Sequence, residues 1–230
     1  MAPLPQHRYT TPQVARSKVR FAVEISLDDA YSLKSPEDNQ KLYAKWANTY
    51  ESDFVENQGY EHPRVIAEIF DSAVPEINSV IDIGTGTGLV GLNLSKLRNG
   101  LHIDGVDISK EMLEVARNKG IYRNLYIRDL TKPVDGTESP YDALICIGIF
   151  THGHLPPSAL DNLIPLVKSK GHLVVGINSK FFKSEDFSAK FDELMVSNKI
   201  TTPVFRETRV YKEDSEHRDS LNVVAIFQKS

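Results

Sequence analysis

Cysteine is almost missing from this chain: Cys146 is the only one in 230 residues. A single thiol excludes an internal disulfide and a cysteine-based metal cluster. Basic excess is missing too. Lys and Arg number 27 against 31 Asp and Glu, a formal charge of −4, so no nucleic-acid backbone is expected as the main partner. No apolar run approaches a membrane span, so no membrane partner is expected either. Met1 to Tyr9 carries prolines and a His-Arg pair but not the apolar centre of a secretory signal. These absences together point to cytoplasmic residence. What is present is ordinary for a globular domain, with 40% hydrophobic and 25% charged residues. The length suits one domain with an accessory segment and allows a full core.

Along the chain, residues 1–34 have weak periodicity and read as an N-terminal arm. Ser35-Pro36-Glu37-Asp38 predicts a helix start, with Ser35 as cap, Pro36 at the first position and acids in the first turn. That helix carries Leu42, Tyr43, Trp46, Ala47 and Tyr50, and a second opens at Pro63 with Val65, Ile66, Ile69 and Phe70 as its stripe. The two form a helical lid segment over residues 35–76, joined in one domain to a core over 77–230.

The core alternates strand and helix. Strands are expected at Ser79–Ile83, Leu101–Val106, Leu125–Ile127, Ala143–Ile149 and His172–Ile177, with helices after the first, after Ser109, and from Pro156 to Lys168. Near-continuous apolar strands joined by such connections mean a parallel sheet covered on both faces. Val204–Tyr211 and Leu221–Gln228 are joined only by a polar loop, so they form an antiparallel hairpin. The expected fold is α/β: a Rossmann-like doubly wound sheet, mostly parallel, with an antiparallel C-terminal hairpin strand and an N-terminal helical lid.

The strongest signal is Val80-Ile81-Asp82-Ile83-Gly84-Thr85-Gly86-Thr87-Gly88. A strand running into a glycine turn and a helix lets a ligand reach bare backbone and helix amides. Gly86, Gly88 and Gly91 also satisfy the dinucleotide pattern, with Asp107 downstream, so this spacing alone does not choose the cofactor. Three features favour a sulfonium cofactor over a pyrophosphate. The sixth position counted from Gly84 is Leu89, not glycine. Asp82 lies in the strand end, where a carboxylate suits an ammonium group, and Asp129 follows the third strand, where an acid can accept from an exocyclic amine.

The sequence here resembles the class I S-adenosylmethionine methyltransferases. Val80 to Gly88 is similar to their first motif and Asp104 to Ser109 to their second. The resemblance implies S-adenosyl-L-methionine as cofactor, with Asp107 holding both ribose hydroxyls. It places Ile108 and Met112 on the adenine, and Asp129 with the Leu130 amide at its edge. Asp82 is implied to face the methionine end, with Gly84, Thr85 and Gly86 forming the turn and Ile147 and Gly148 beneath. A narrower resemblance is to the small methyltransferase-like proteins named for the Williams–Beuren chromosomal region. It rests on Tyr43-Ala44-Lys45-Trp46-Ala47-Asn48-Thr49-Tyr50, followed by His62-Pro63-Arg64.

Tyr43, Trp46 and Tyr50 project from one face of a helix. They read either as a stripe packing on the sheet or as a lid over the cofactor, the lid being preferred; Arg64 either pairs with the cofactor carboxylate or is exposed. After the fourth strand, Phe150-Thr151-His152-Gly153-His154 places two histidines where this architecture binds ligands. A neutral imidazole there is a candidate general base or substrate hydrogen-bond partner, with a structural role as the alternative. His152, nearer the strand end, is the preferred candidate and His154 the second. No companion carboxylate or cysteine completes a metal set, so no metal is expected. The expected function is methyl transfer to a small-molecule acceptor. The alternatives are a cofactor-binding sensor without turnover and a nicotinamide dehydrogenase, the last weakened because no tyrosine is followed four positions later by lysine.

Overall fold

The computed structural model describes residues 36–132 and 140–230. The N-terminal arm and the proposed cap Ser35 lie outside the described residues. Seven strands form one sheet in the order β3-β2-β1-β4-β5-β7-β6. They are β1 (Ser79–Ile83), β2 (His102–Asp107), β3 (Tyr122–Ile127), β4 (Tyr141–Phe150), β5 (Val167–Asn178), β6 (Val204–Arg209) and β7 (Leu221–Gln228). The pairs among β1 to β5 are all parallel, whereas β7 runs antiparallel between β5 and β6. The chain winds outward from β1 to β3, then returns to start β4 on β1's other side. That reversal opens a crevice at the carboxyl ends of β1 and β4.

Period-two alternation assigns each strand's residues to two cores. On β1, Ile81 and Ile83 face a core with Leu144, Phe150 and Phe187. Val80 faces the other core, with Ile66, Phe70, Val90 and Leu94 from α2 (His62–Ala73) and α3 (Leu89–Leu97). Asp82 shares that second direction. After β2, Ser109 caps α4 (Lys110–Asn118) by accepting from the Met112 amide at 3.2 Å, as its residue type predicts.

Helices at Ser179–Ser184 and Phe187–Val196, between β5 and β6, are not among the expected elements, and two expected elements take a different form. The helix drawn from Pro156 to Lys168 is three short turns, ending at Leu166. Pro165 has no amide to continue the ladder, and β5 begins at Val167. Val167 pairs with Tyr141, and the ladder resumes only at His172 with Ala143, with Lys170 at φ 63° in the bulge between. Near the N-terminus, α1 (Pro36–Trp46) ends four residues short of Tyr50, and a π-helical stretch follows at Glu51–Glu56. Two long-range contacts tie this segment to the α4 region: Gln40 Nε2 donates to the Ile108 carbonyl at 3.4 Å, and Glu51 pairs with Lys119 at 2.6 Å. At the other side, the Glu61 and His62 amides both donate to the Val210 carbonyl at 3.2 Å.

Candidate functional site

A cleft with about 1030 Å³ of empty space opens at the carboxyl ends of β1 to β4. Its floor is the glycine turn. The Gly84 and Thr85 amides donate to the Val106 carbonyl at 2.9 and 3.0 Å, which pins the turn to β2. Gly84 (φ 73°) has no room for a side chain, because a Cβ would run into Ile149. Gly86 (φ 54°) is the opposite case: a Cβ would meet nothing nearer than the Gly84 carbonyl at 4.0 Å. Its bare backbone faces space that no atom of the described residues fills, as a turn built for a ligand requires. Thr87, also lining the cleft, has a buried hydroxyl with no partner.

Asp107 stands across from this turn, half-buried. One carboxylate oxygen accepts from the Gly86 amide at 2.8 Å and the other from the Ser109 amide at 2.9 Å. Burial pushes this carboxyl above the usual range, against the pull of the Ser109, Gly86 and Ile108 amides. Ile108 and Met112 line the wall beside it, and Asp129 and Leu130 continue that wall. Asp129 is held by Thr131 Oγ1 at 2.6 Å and Lys132 at 3.0 Å, which keep its carboxyl below the usual range. Ile147 and Gly148 lie on the β4 side.

Asp82 does not line the cleft. It is buried beneath the turn, where the Tyr122 hydroxyl donates to it at 2.6 Å. Burial, with the neighbouring Asp107 charge, pushes it up to about 7 despite that hydrogen bond. The same contact accounts for Gly91, since a Cβ there would collide with the Tyr122 hydroxyl. Burial and the Asp82 charge in turn push the Tyr122 phenol far up. Cys146, fully buried in β4, has its thiol pushed up by the same two causes and faces no opening.

The two histidines exchange the ranks expected of them. A tight turn after β4, with the His154 amide on the Thr151 carbonyl at 3.1 Å and Gly153 at φ 75°, swings the chain back over the cleft. His154 lines the cleft, while His152 is exposed and its ring packs on Phe181 with centroids 5.0 Å apart. Nδ1 of His154 lies 3.1 Å from the His152 carbonyl. A carbonyl only accepts, so Nδ1 carries the hydrogen and Nε2 is left with a lone pair. That Nε2 is buried without a partner, and burial lowers the imidazole below its ordinary value.

Tyr43 and Tyr50 line the cleft, but Trp46 between them does not. Trp46 is 2% exposed and packs edge-on to Tyr50 and Phe54, at 5.1 and 5.3 Å between centroids, in a cluster with Val210 and Tyr211. It lines a second cavity of about 630 Å³ that shares Tyr43, Tyr50, Tyr60, Gly148 and His154 with the cleft. Arg64 lies outside both, half-exposed and paired with Glu61 at 2.8 Å and Glu68 at 2.6 Å. Sequence reasoning missed Tyr60, Pro63, Ile149 and Leu155 as lining residues and Tyr122 as the partner of Asp82. No local pattern marks them, because each arrives from a different element.

The model of the methyltransferase domain family matches residues 77–218, most of the chain. The chain belongs to the class I methyltransferases. These are S-adenosylmethionine-dependent, and the fold described above is theirs. Human methyltransferase-like protein 27 is 33% identical over 134 residues, 56% of this methyltransferase and 54% of that protein. The ubiquinone biosynthesis O-methyltransferase of Alkalilimnicola ehrlichii is 30% identical over 116 residues, 47% of this chain and 45% of that enzyme. The chain thus spans about half the length of the curated relatives it matches. Among solved structures, a TehB-like SAM-dependent methyltransferase from Corynebacterium glutamicum superimposes with a TM-score of 0.58 at 19% identity, covering 82% of this chain and 98% of its own. The cyclase SpnF reaches 0.65 at 12% identity, covering 86% of this chain and 97% of its own. That second likeness shows the fold alone, and fold does not fix chemistry.

Proposed function

We propose that this methyltransferase moves a methyl group from S-adenosylmethionine to a small, uncharged acceptor, with His154 as the base. The observation that carries it is adjacency: the Asp107–Gly86 cleft and an aromatic cavity share Tyr43, Tyr50, Tyr60, Gly148 and His154 as lining residues. The cleft suits the cofactor. Its bare Gly86 backbone, unpartnered Thr87 hydroxyl and paired acceptor oxygens match a ribose diol and a polar chain. The ubiquinone O-methyltransferases among its relatives support a small-molecule acceptor.

The Asp107 carboxylate, at the cleft wall, would receive the vicinal ribose hydroxyls. Ile108, Met112 and Leu130 make the apolar wall for the adenine, with Asp129 at its rim. Gly84, Thr85, Gly86 and Ile147 border the methionine end, and Asp82, through Tyr122 and the turn, fixes the floor rather than touching the ligand. When bound, the cofactor would supply an electrophilic methyl carried on a sulfonium, with S-adenosylhomocysteine as the product left behind. The chain's own work is alignment and removal of the acceptor proton, which ends on His154 Nε2. The α1 and π-helical segment closes the site through Tyr43 and Tyr50.

Incubation with methyl-labelled S-adenosylmethionine and a panel of small hydroxylated molecules tests this reading. Label transferred to an acceptor, with S-adenosylhomocysteine released in equal amount, is the expected result. Tight cofactor binding with no transfer to any acceptor would instead favour a sensor that holds the cofactor without turnover.

A further inference from the structure

Beneath the cleft lies a buried acid that no basic group neutralises. Asp82 is 1% exposed, and its register partners are Gly105 on β2 and Ile145 on β4. On its face of the sheet, α2 and α3 present Ile66, Phe70, Val90 and Leu94. The ionisable groups that act on it from the adjoining strands are Asp107 (β2), Tyr122 (β3) and Cys146 (β4), and none of them is a cation. Among the described residues, no lysine, arginine or histidine pairs with it.

A carboxylate taken out of water without a countercharge is costly, so such a group keeps its proton to higher pH than usual. Burial, with the Asp107 charge, holds Asp82 up at about 7. What restrains it is Tyr122, whose hydroxyl donates to Oδ2 at 2.6 Å. The same ring fixes the turn above it. A Cβ at Gly88 would lie 2.9 Å from Tyr122 Cε2, and one at Gly91 would collide with the hydroxyl. Two of the glycines that mimic dinucleotide spacing thus answer to a tyrosine inside the protein. The Thr85 hydroxyl donates to the Asp82 carbonyl at 2.9 Å, and Gly84 and Thr85 line the cleft. Only the turn's backbone separates Asp82 from a ligand in the cleft, so a cation held there is the countercharge that Asp82 lacks.

We propose that Asp82 gives up its proton as the ammonium end of the cofactor enters, which makes cofactor binding proton-linked, and that Tyr122 is the positioning residue that holds the carboxylate against the turn. The carboxyl O–H bond breaks, its electron pair stays on the Asp82 oxygen, and the proton goes to solvent. The sign follows from linkage: a bound cation favours the ionised acid, so the bound protein titrates at lower pH than the free protein. Affinity therefore rises with pH between those two values and levels off above about 7. This inference rests on the methyltransferase reading, and its test separates the two.

Calorimetry of the full chain in buffers of different ionisation heat counts the protons released on binding, without turnover. Two ligands are compared: S-adenosylhomocysteine, and methylthioadenosine, which keeps the adenosine and thioether but lacks the ammonium and carboxylate. Asp107 meets the same ribose in both, so its own titration cancels in the comparison. At about pH 6.5, S-adenosylhomocysteine should release roughly half a proton or more per site, falling toward none by about pH 8. Methylthioadenosine should release less than about a fifth of a proton at either pH. Asp82→Asn should abolish the extra release. Tyr122→Phe removes the hydrogen bond that favours the charged form, so the pH at which S-adenosylhomocysteine affinity levels off should move up by about one unit. A merely structural tyrosine would lower affinity equally at every pH and leave that point in place, which would overturn its assigned role. The linkage is overturned if S-adenosylhomocysteine binds without releasing a proton, if methylthioadenosine releases as much, or if Asp82→Asn leaves the release unchanged. Failure to bind S-adenosylhomocysteine would overturn the methyltransferase reading itself.

Discussion

The cleft and the aromatic cavity touch, yet they are built in opposite ways. The cleft is made by contiguous stretches at strand ends: Gly84 to Thr87 after β1, Asp107 and Ile108 after β2, Asp129 and Leu130 after β3. Its key contacts are backbone amides held by one carboxylate, with Gly86 and Ser109 at 2.8 and 2.9 Å from Asp107. The cavity is made by side chains from α1, the π-helical stretch, the end of β4 and the hairpin, which meet only in three dimensions. A ligand common to a whole family can be read by backbone geometry that a short motif encodes. A ligand particular to one member needs side chains that differ between members, and these come from scattered positions.

This contrast predicts separable losses. Asp107→Ala should cost about 2–4 kcal/mol of S-adenosylhomocysteine affinity, because it removes both ribose acceptors and frees the Gly86 and Ser109 amides. Calorimetry checks this, and unchanged affinity in a folded variant would mean the ribose is held elsewhere. Trp46→Ala should act on the other side. Its truncation should cost about 3 kcal/mol of stability in thermal or denaturant unfolding, at the low end for a large core residue, because its cluster is separate from the two sheet cores. Cofactor affinity should change by less than about 1 kcal/mol, since Trp46 does not line the cleft. Loss of cofactor binding as large as that of Asp107→Ala would merge the two regions into one.

The same contrast sets how much was legible in the sequence. β1 falls at Ser79–Ile83 as expected, and the Ser109 cap sits where its residue type places it. Gly84, Thr85, Gly86, Asp107, Ile108, Met112, Asp129, Leu130 and Ile147 all line the cleft, because residues next to a strand end are carried to its mouth by the strand itself. The illegible parts depend on partners distant in sequence. Asp82 sits one pleat away from the cleft and is turned inward by Tyr122, forty positions on. Arg64 is one residue past Pro63, which does line the cleft, and that step faces it outward to Glu61 and Glu68. His152 and His154 differ only by the sense of a turn at Gly153, which no periodicity reveals. The early end of the helical turns before β5 was signalled by Pro165, while the apolar run around it, Leu160, Leu163, Ile164 and Leu166, is buried as its pattern predicts.

A smaller effect probes the floor of the cleft. Asp82 is raised by burial to about 7, against an unfolded value of about 3.9. Between those values the unfolded chain ionises first, so this residue's contribution makes stability fall as pH rises. Asp82→Asn keeps an acceptor for the Tyr122 hydroxyl. It should therefore melt higher than the parent at about pH 8, with the difference shrinking toward about pH 4. An equal difference at both would contradict the assignment. His62, lowered by burial to about 4, acts in the same window with opposite sign: its contribution is present above about 6.5 and fades as pH falls. Variant and parent must therefore be compared at each pH. The smallest effect is expected from Arg64→Ala, whose half-exposed pairs with Glu61 and Glu68 should be worth less than about 1 kcal/mol. It should leave cofactor affinity unmoved.

The central claim is that the Gly86–Asp107 cleft takes the adenosyl cofactor. Titration calorimetry of the full chain with S-adenosylhomocysteine and, separately, with NAD tests it most directly. The account predicts one site for S-adenosylhomocysteine, weakened in Asp107→Ala, and no measurable heat with NAD. Binding of NAD with none for S-adenosylhomocysteine, or S-adenosylhomocysteine binding indifferent to Asp107, would contradict it.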